Sequence, residues 1–75
     1  MAGVMTLELS ADEALVLFEF LSRWDTSHVF EIIDQAEQRV LWNVHAALEK
    51  ELTEPFSSEY PSLILVARAR LRDLI

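Results

Sequence analysis

The order of apolar and polar positions divides the chain into two alternating stretches and three stretches with helical spacing. Residues 4–10 and 28–33 alternate, and a period of two is typical of a short strand with one buried face. Residues 11–24, 35–52 and 58–74 carry apolar side chains every three or four positions, which predicts amphipathic helices. We therefore expect an α+β, mostly α fold with three helices and two short strands in the N-terminal half. The alternative is an all-α three-helix bundle, in which the brief second stretch is an irregular connector.

Two of the predicted helices begin with a capping signal. Glu13 follows Ser10 by three positions, and Glu37 follows Asp34 at the same spacing. At this spacing, each side chain of the pair can accept a hydrogen bond from the backbone N–H of the other residue. Pro61 suits only the first turn of the third helix, because a proline deeper in a helix removes a backbone donor.

The first helix is apolar almost all the way round, although a helix needs only one apolar stripe to pack on a core. Ala14–Phe18 is an unbroken apolar run, and Phe20, Leu21 and Trp24 follow it. One explanation is a central helix that contacts several neighbours. The other is that a flank with Val16 and Phe20 meets a second subunit or another protein.

The second helix has the most regular apolar spacing in the chain. Its apolar residues are Ala36, Val40, Leu41, Val44, Ala47, Leu48 and Leu52. This stripe predicts that Leu41, Val44 and Leu48 are buried against the first helix.

Length and composition favour one small acidic domain. The chain has 75 residues, no cysteine and a formal net charge of −7, so we expect a single domain over 1–75 without disulfides. It has no basic leader and no apolar run long enough to span a bilayer, which favours a soluble, cytoplasmic protein. The excess of acids predicts no binding to nucleic acid or to anionic membranes, and favours a basic protein partner.

Residues able to carry chemistry are sparse. The chain has one lysine, Lys50, and one glycine, Gly3, so it lacks a glycine-rich phosphate loop, and we expect no enzymatic activity and no cofactor. His45 and Glu49 share a helical face, and Asp25 precedes His28 by three positions. A zinc site needs at least three protein ligands, so we expect no metal.

A candidate partner-binding surface lies on the first helix. Asp12 and Glu19 are seven positions apart and share a face, Asp25 follows the predicted end of the helix, and Trp24 could anchor an interface beside them. The alternative for Trp24 is a place in the core. The alternative for the acids is a role in solubility, or in ion pairs with the C-terminal arginines, Arg68, Arg70 and Arg72.

Three segments, LSADEALVLFEFLSRW, AEQRVLWNVHAALEKEL and EPFSSEY, resemble a group of small uncharacterised bacterial proteins. The resemblance spans about residues 7–60, implies a bacterial, cytoplasmic setting and brings no catalytic residue with it. Size and charge also resemble those of immunity proteins and antitoxins. We therefore expect a non-enzymatic protein-binding domain, in one form an inhibitor of a basic, nuclease-like protein. The alternative is a self-associating structural or regulatory module that dimerises through the first helix.

Overall fold

A computed structural model describes residues 3–27 and 32–73 of the chain, without the side chains of 25–27. The described part contains three α-helices: α1 (Ala11–Ser27), α2 (Gln35–Glu51) and α3 (Tyr60–Arg72). A short 3-10 helix, Glu54–Phe56, precedes α3. The fold is mainly α and matches the three-helix alternative, with α1 packed against both other helices.

The helix starts follow the capping signals. The Ser10 hydroxyl accepts a hydrogen bond from the Glu13 backbone at 3.1 Å, and the Glu13 carboxylate accepts one from the Ser10 backbone at 2.8 Å. The hydrogen bond from the Ser10 backbone, and to a smaller extent the interaction with the Ser10 side chain, hold the pKa of the Glu13 carboxyl below its usual value. Asp34 and Glu37 form the same reciprocal arrangement at the start of α2.

The core lies between α1, α3 and the end of α2. Leu15 and Phe18 of α1 form a buried cluster with Ile64 and Ala67 of α3 and with Leu52, which follows α2. Further along α1, Leu21 and Trp24 are also buried. Four buried side chains of α1, on more than one side of the helix, explain its apolar composition: α1 is the central helix.

The first predicted strand is wrong. Residues 3–10 have no regular secondary structure, and Val4, Met5 and Leu7 are largely exposed. Alternation alone does not make a strand, because a strand needs a partner for its backbone N–H and C=O groups. Of the second predicted strand, residues 28–31 lie outside the described residues, and Ile32 and Ile33 are not in a strand.

The predicted burial of α2 is also wrong in part. None of its side chains is fully buried: Leu41 and Leu48 are half-buried, whereas Val40 and Val44 are exposed. The apolar stripe is wider than the contact with α1, so one edge of it packs and the other faces outward. Within the described ranges, no helix is both long and apolar enough to cross a membrane.

Candidate functional site

An open apolar groove lies between the last turns of α1 and the first turns of α2. Its volume is about 620 Å³. The lining residues are Phe20, Leu21 and Trp24 of α1, Ala36, Glu37, Val40 and Leu41 of α2, and Ile32 just before α2. Glu37 is the only charged residue among them, so the walls are almost entirely hydrocarbon.

The helical repeat of both sequences builds this groove. Phe20, Leu21 and Trp24 fall on neighbouring turns of α1, as Glu37, Val40 and Leu41 do on α2. The buried side chains of Leu21 and Trp24 form the floor. Phe20 and Val40 are exposed at the rim, and the guanidinium carbon of Arg23 lies 5.8 Å from the centre of the Phe20 ring.

His45 fixes the position of α2 beside the groove. Its ring stacks on Phe18 with the ring centres 4.7 Å apart and the planes inclined by 16°. Its Nε2 is 2.9 Å from the Ser22 hydroxyl oxygen. These contacts join the middle of α1 to the later half of α2, and the groove opens on the α1 C-terminal side of them.

The acid in the groove wall is already engaged. The Glu37 carboxylate accepts hydrogen bonds from the backbone N–H groups of Ile33 at 2.8 Å and Asp34 at 3.4 Å. It serves as part of the helix cap, and the remaining walls carry no group that could donate or accept a proton. The groove therefore offers shape and apolar contact.

The acids predicted to bind a partner face α3. Asp12 forms an ion pair with Arg70 at 3.2 Å. Glu19 forms ion pairs with Arg23 at 3.4 Å and Arg68 at 4.0 Å. Asp12 and Glu19 therefore follow the alternative given by the sequence, in which acids of the first helix pair with the C-terminal arginines.

The structure does not bring Trp24 together with these two acids. Trp24 is only 4% exposed and lies in the groove floor, on the side of α1 that faces α2. The side chain of Asp25 lies outside the described residues. A partner surface made of all four predicted residues stays a prediction, and it would have to span two sides of α1.

A second, smaller cleft of about 340 Å³ lies between α1 and the start of α3. There the Tyr60 hydroxyl donates a hydrogen bond to Glu19 Oε1 at 2.9 Å. Burial raises the pKa of Tyr60 well above its ordinary value, the hydrogen bond and the charge of Glu19 raise it further, and Arg68 opposes them. The tyrosine is thus held in its neutral, donating form.

Two sequence spacings, Asp25 to His28 and His45 to Glu49, were considered as metal sites, and neither brings a set of ligands together among the described residues. No group of three metal-binding side chains occurs there, and the His45 Nε2 atom contacts Ser22. The side chains of Asp25 and His28 are not among those described.

Sequence reasoning missed the groove because it placed Leu41, together with Val44 and Leu48, in a face buried against the first helix. The sequence did contain a signal for the groove. The apolar side chains of α1 and α2 are too numerous for the core of a small domain to bury them all. No family model matches the chain, and no curated protein or solved structure matches it either.

Proposed function

We propose that this protein is a non-enzymatic protein-binding domain whose groove between α1 and α2 receives an apolar segment of its partner. The observation that supports this is the groove itself, about 620 Å³ in volume and lined by seven apolar residues and Glu37. Clefts of this size and apolar character typically enclose a ligand or an anchoring side chain.

The groove has the parts that an anchoring site needs. The floor is made of the buried side chains of Leu21 and Trp24, which are held by the fold before any partner arrives. A Leu or Phe side chain placed there would gain about 1.5–3 kcal/mol from leaving water. Phe20 and Val40, exposed at the rim, would lose their own contact with water in the same step.

Binding is favoured over catalysis because the one ionisable group in the wall is occupied. The Glu37 carboxylate accepts two backbone hydrogen bonds at the start of α2. A general acid or base needs a free carboxyl in an apolar cleft, within reach of a substrate.

A second candidate is the acidic inhibitor of a basic, nuclease-like protein, and a different set of acids favours it. Asp12 and Glu19 are largely compensated by α3 arginines. Glu49, Glu51 and Glu59 are exposed and take part in no ion pair among the described residues. A basic partner would thus meet the end of α2 and the turn before α3, where charge speeds association.

The test is capture of partners in the native host by three tagged chains: wild type, Val40→Glu and Leu65→Glu. Val40 is 57% exposed at the groove rim, and Leu65 is 63% exposed on α3, so both variants should fold. Mass spectrometry should find a protein that wild type and Leu65→Glu retain and Val40→Glu loses. An identical set from all three chains would refute the groove as the binding site.

A fourth chain, with Glu49→Lys and Glu51→Lys, separates the second candidate from the first. A basic partner should be lost from this variant and retained by Val40→Glu, and its binding to wild type should weaken with salt. Retention by both variants would exclude the acidic-inhibitor form.

A further inference from the structure

We infer that residues 4–9 bind as an added β-strand to the open sheet edge of a partner protein, a mode known as β-strand addition. The segment precedes α1, whereas the groove lies beside the last turns of α1, so this is a second surface. The inference does not depend on the groove. The unpaired backbone of the segment, its alternating side chains and its charge support it.

The backbone of this segment has no partner within the described part of the chain. Residues 3–10 are all exposed and have no regular secondary structure. No hydrogen bond joins the backbone of residues 4–9 to another described residue, whereas the backbone N–H of Ser10 donates to Glu13 Oε1 at 2.8 Å. The cap therefore fixes the point at which the segment leaves α1. The free stretch before it has about the usual length of a strand, with N–H and C=O groups available for an intermolecular ladder.

The side chains of the segment suit a strand that is covered on one face. In an extended backbone, Met5, Leu7 and Leu9 fall on one side, and the β-branched Val4 and Thr6 fall on the other. Met5 is 91% exposed and Leu7 is 74% exposed, so the fold leaves the apolar side uncovered. The stretch contains no proline and no glycine, either of which would weaken a paired strand. This combination fits a strand that another protein completes.

The partner must supply the sheet. The described residues of this chain form helices and no strand, so that part of a second copy has no sheet edge to offer. Two copies of the segment paired with each other would make only a two-stranded ribbon, which is marginally stable in water. Two chains with a net charge of −7 also repel each other. A protein with its own sheet already holds several strands together and gains one more.

Charge narrows the partner further. Natural proteins protect exposed edge strands with charged residues, lysine above all, and thereby avoid pairing with one another. Residues 3–13 contain three acids and no base, and Glu8 within the segment takes part in no ion pair among the described residues. This end of the chain would therefore attract an edge that repels other basic strands. The partner that fits is a β-protein whose open edge carries lysines.

Amide hydrogen exchange of the full chain, followed by NMR, tests the free state. The amides of residues 4–9 should exchange about as fast as those of an unstructured peptide, whereas those of Leu15 and Phe18 in the buried part of α1 should be protected. Slow exchange throughout residues 4–9 would overturn the inference, because the backbone would then already be paired.

Proline variants of the tagged full chain test the bound state, with an extract of the native host as the probe. In an added strand, alternate N–H groups face the partner edge and the others face solvent, so proline is tolerated at every second position. Thr6→Pro is compared with Thr6→Ala, and Leu7→Pro with Leu7→Ala, because alanine keeps the N–H group. All four should keep the helical circular dichroism spectrum, since both positions precede α1.

One captured protein should bind one of the proline variants about tenfold more weakly than its alanine control, the effect of losing one ladder hydrogen bond. The same protein should bind the other proline variant and its control about equally. Titration with that protein after purification measures both ratios. If no captured protein shows this difference between neighbouring positions, backbone pairing by residues 4–9 is refuted.

Charge reversal tests the lysines of the partner edge. Glu8→Lys should weaken binding of the same protein, and added salt should weaken its binding to wild type. The control is Glu59→Lys, which changes an exposed acid at the start of α3 and should bind as wild type does. Equal binding by Glu8→Lys and wild type would overturn the lysine-bearing edge as the partner.

Discussion

At the residue scale, two acidic side chains of α1, Asp12 and Glu19, contact α3. Glu19 accepts a hydrogen bond from Tyr60 and pairs with Arg68. Asp12, about two helical turns earlier in α1, pairs with Arg70. The sequence indicated that arginines on the third helix had acidic partners on the first. It could not indicate which acids, because a rotation of α3 by a fraction of a turn would change every pair.

The hydrogen bond of Tyr60 gives the first prediction. Tyr60→Phe should lower the free energy of unfolding by about 1 kcal/mol at neutral pH, the usual net contribution of one hydrogen bond. Urea titration followed by circular dichroism measures it. No change would mean that the bond to Glu19 does not stabilise the fold.

Because the pKa of Tyr60 is raised in the folded state, the difference in unfolding free energy between wild type and Tyr60→Phe should depend on pH. In the folded state, the pKa lies above the ordinary value of 10.0, so the stabilisation is complete below pH 10. It is lost as the pH rises further, because the unfolded chain releases this proton first. The difference in stability between wild type and Tyr60→Phe should therefore shrink above pH 10. About pH 11 is one unit above the ordinary pKa of tyrosine. A stability difference that stays constant up to that pH would contradict the prediction.

The two tryptophans give a second prediction at this scale. Trp24 is 4% exposed and Trp42 is 49% exposed. Trp24→Ala should cost about 3–5 kcal/mol, since it empties the groove floor and part of the core. Trp42→Ala should cost much less, because its side chain already lies half in water. Thermal melts of both variants decide it, and equal losses would show that Trp24 is not a core residue.

At the scale of elements, local signals were reliable and long-range ones were not. The pairs Ser10–Glu13 and Asp34–Glu37 set the helix starts through bonds within four residues, so the sequence alone predicts them. The alternation of residues 4–10 predicted a strand that the structure lacks, because pairing depends on a partner far along the chain. For the same reason, the stripe of α2 did not reveal which edge faces α1.

The unpaired N-terminal stretch gives the third prediction. Met5 is 91% exposed and Leu7 is 74% exposed. Replacing both with Ser should leave the melting temperature nearly unchanged, because neither side chain leaves water on folding. As a control, Leu15→Ala should cost about 2–5 kcal/mol, since Leu15 lies in the buried cluster. A large fall in the melting temperature of the double variant would show that Met5 and Leu7 are buried, as the predicted strand requires.

At the scale of the whole molecule, net charge and local pairing make different contributions. A net charge of −7 on a small domain favours the expanded, unfolded chain through self-repulsion. The three ion pairs among the described residues all use acids of α1, and two of them link α1 to α3. Asp12 and Glu19 therefore stabilise the fold locally, whereas exposed acids elsewhere add only to the repulsion.

Two double charge reversals separate these contributions and make the fourth prediction. Asp12→Lys with Glu19→Lys, and Glu49→Lys with Glu51→Lys, raise the net charge by the same four units. The first pair of changes places lysines against Arg68 and Arg70, so the melting temperature should fall. The second pair removes exposed acids near the C-terminal end of α2, where positive charge is favourable, so the melting temperature should hold or rise. Added salt should narrow the gap between the variants, because exposed charges are screened over about 8 Å at physiological ionic strength. If both variants shift equally and in the same direction, net charge alone governs stability, and the ion pairs between α1 and α3 contribute nothing measurable.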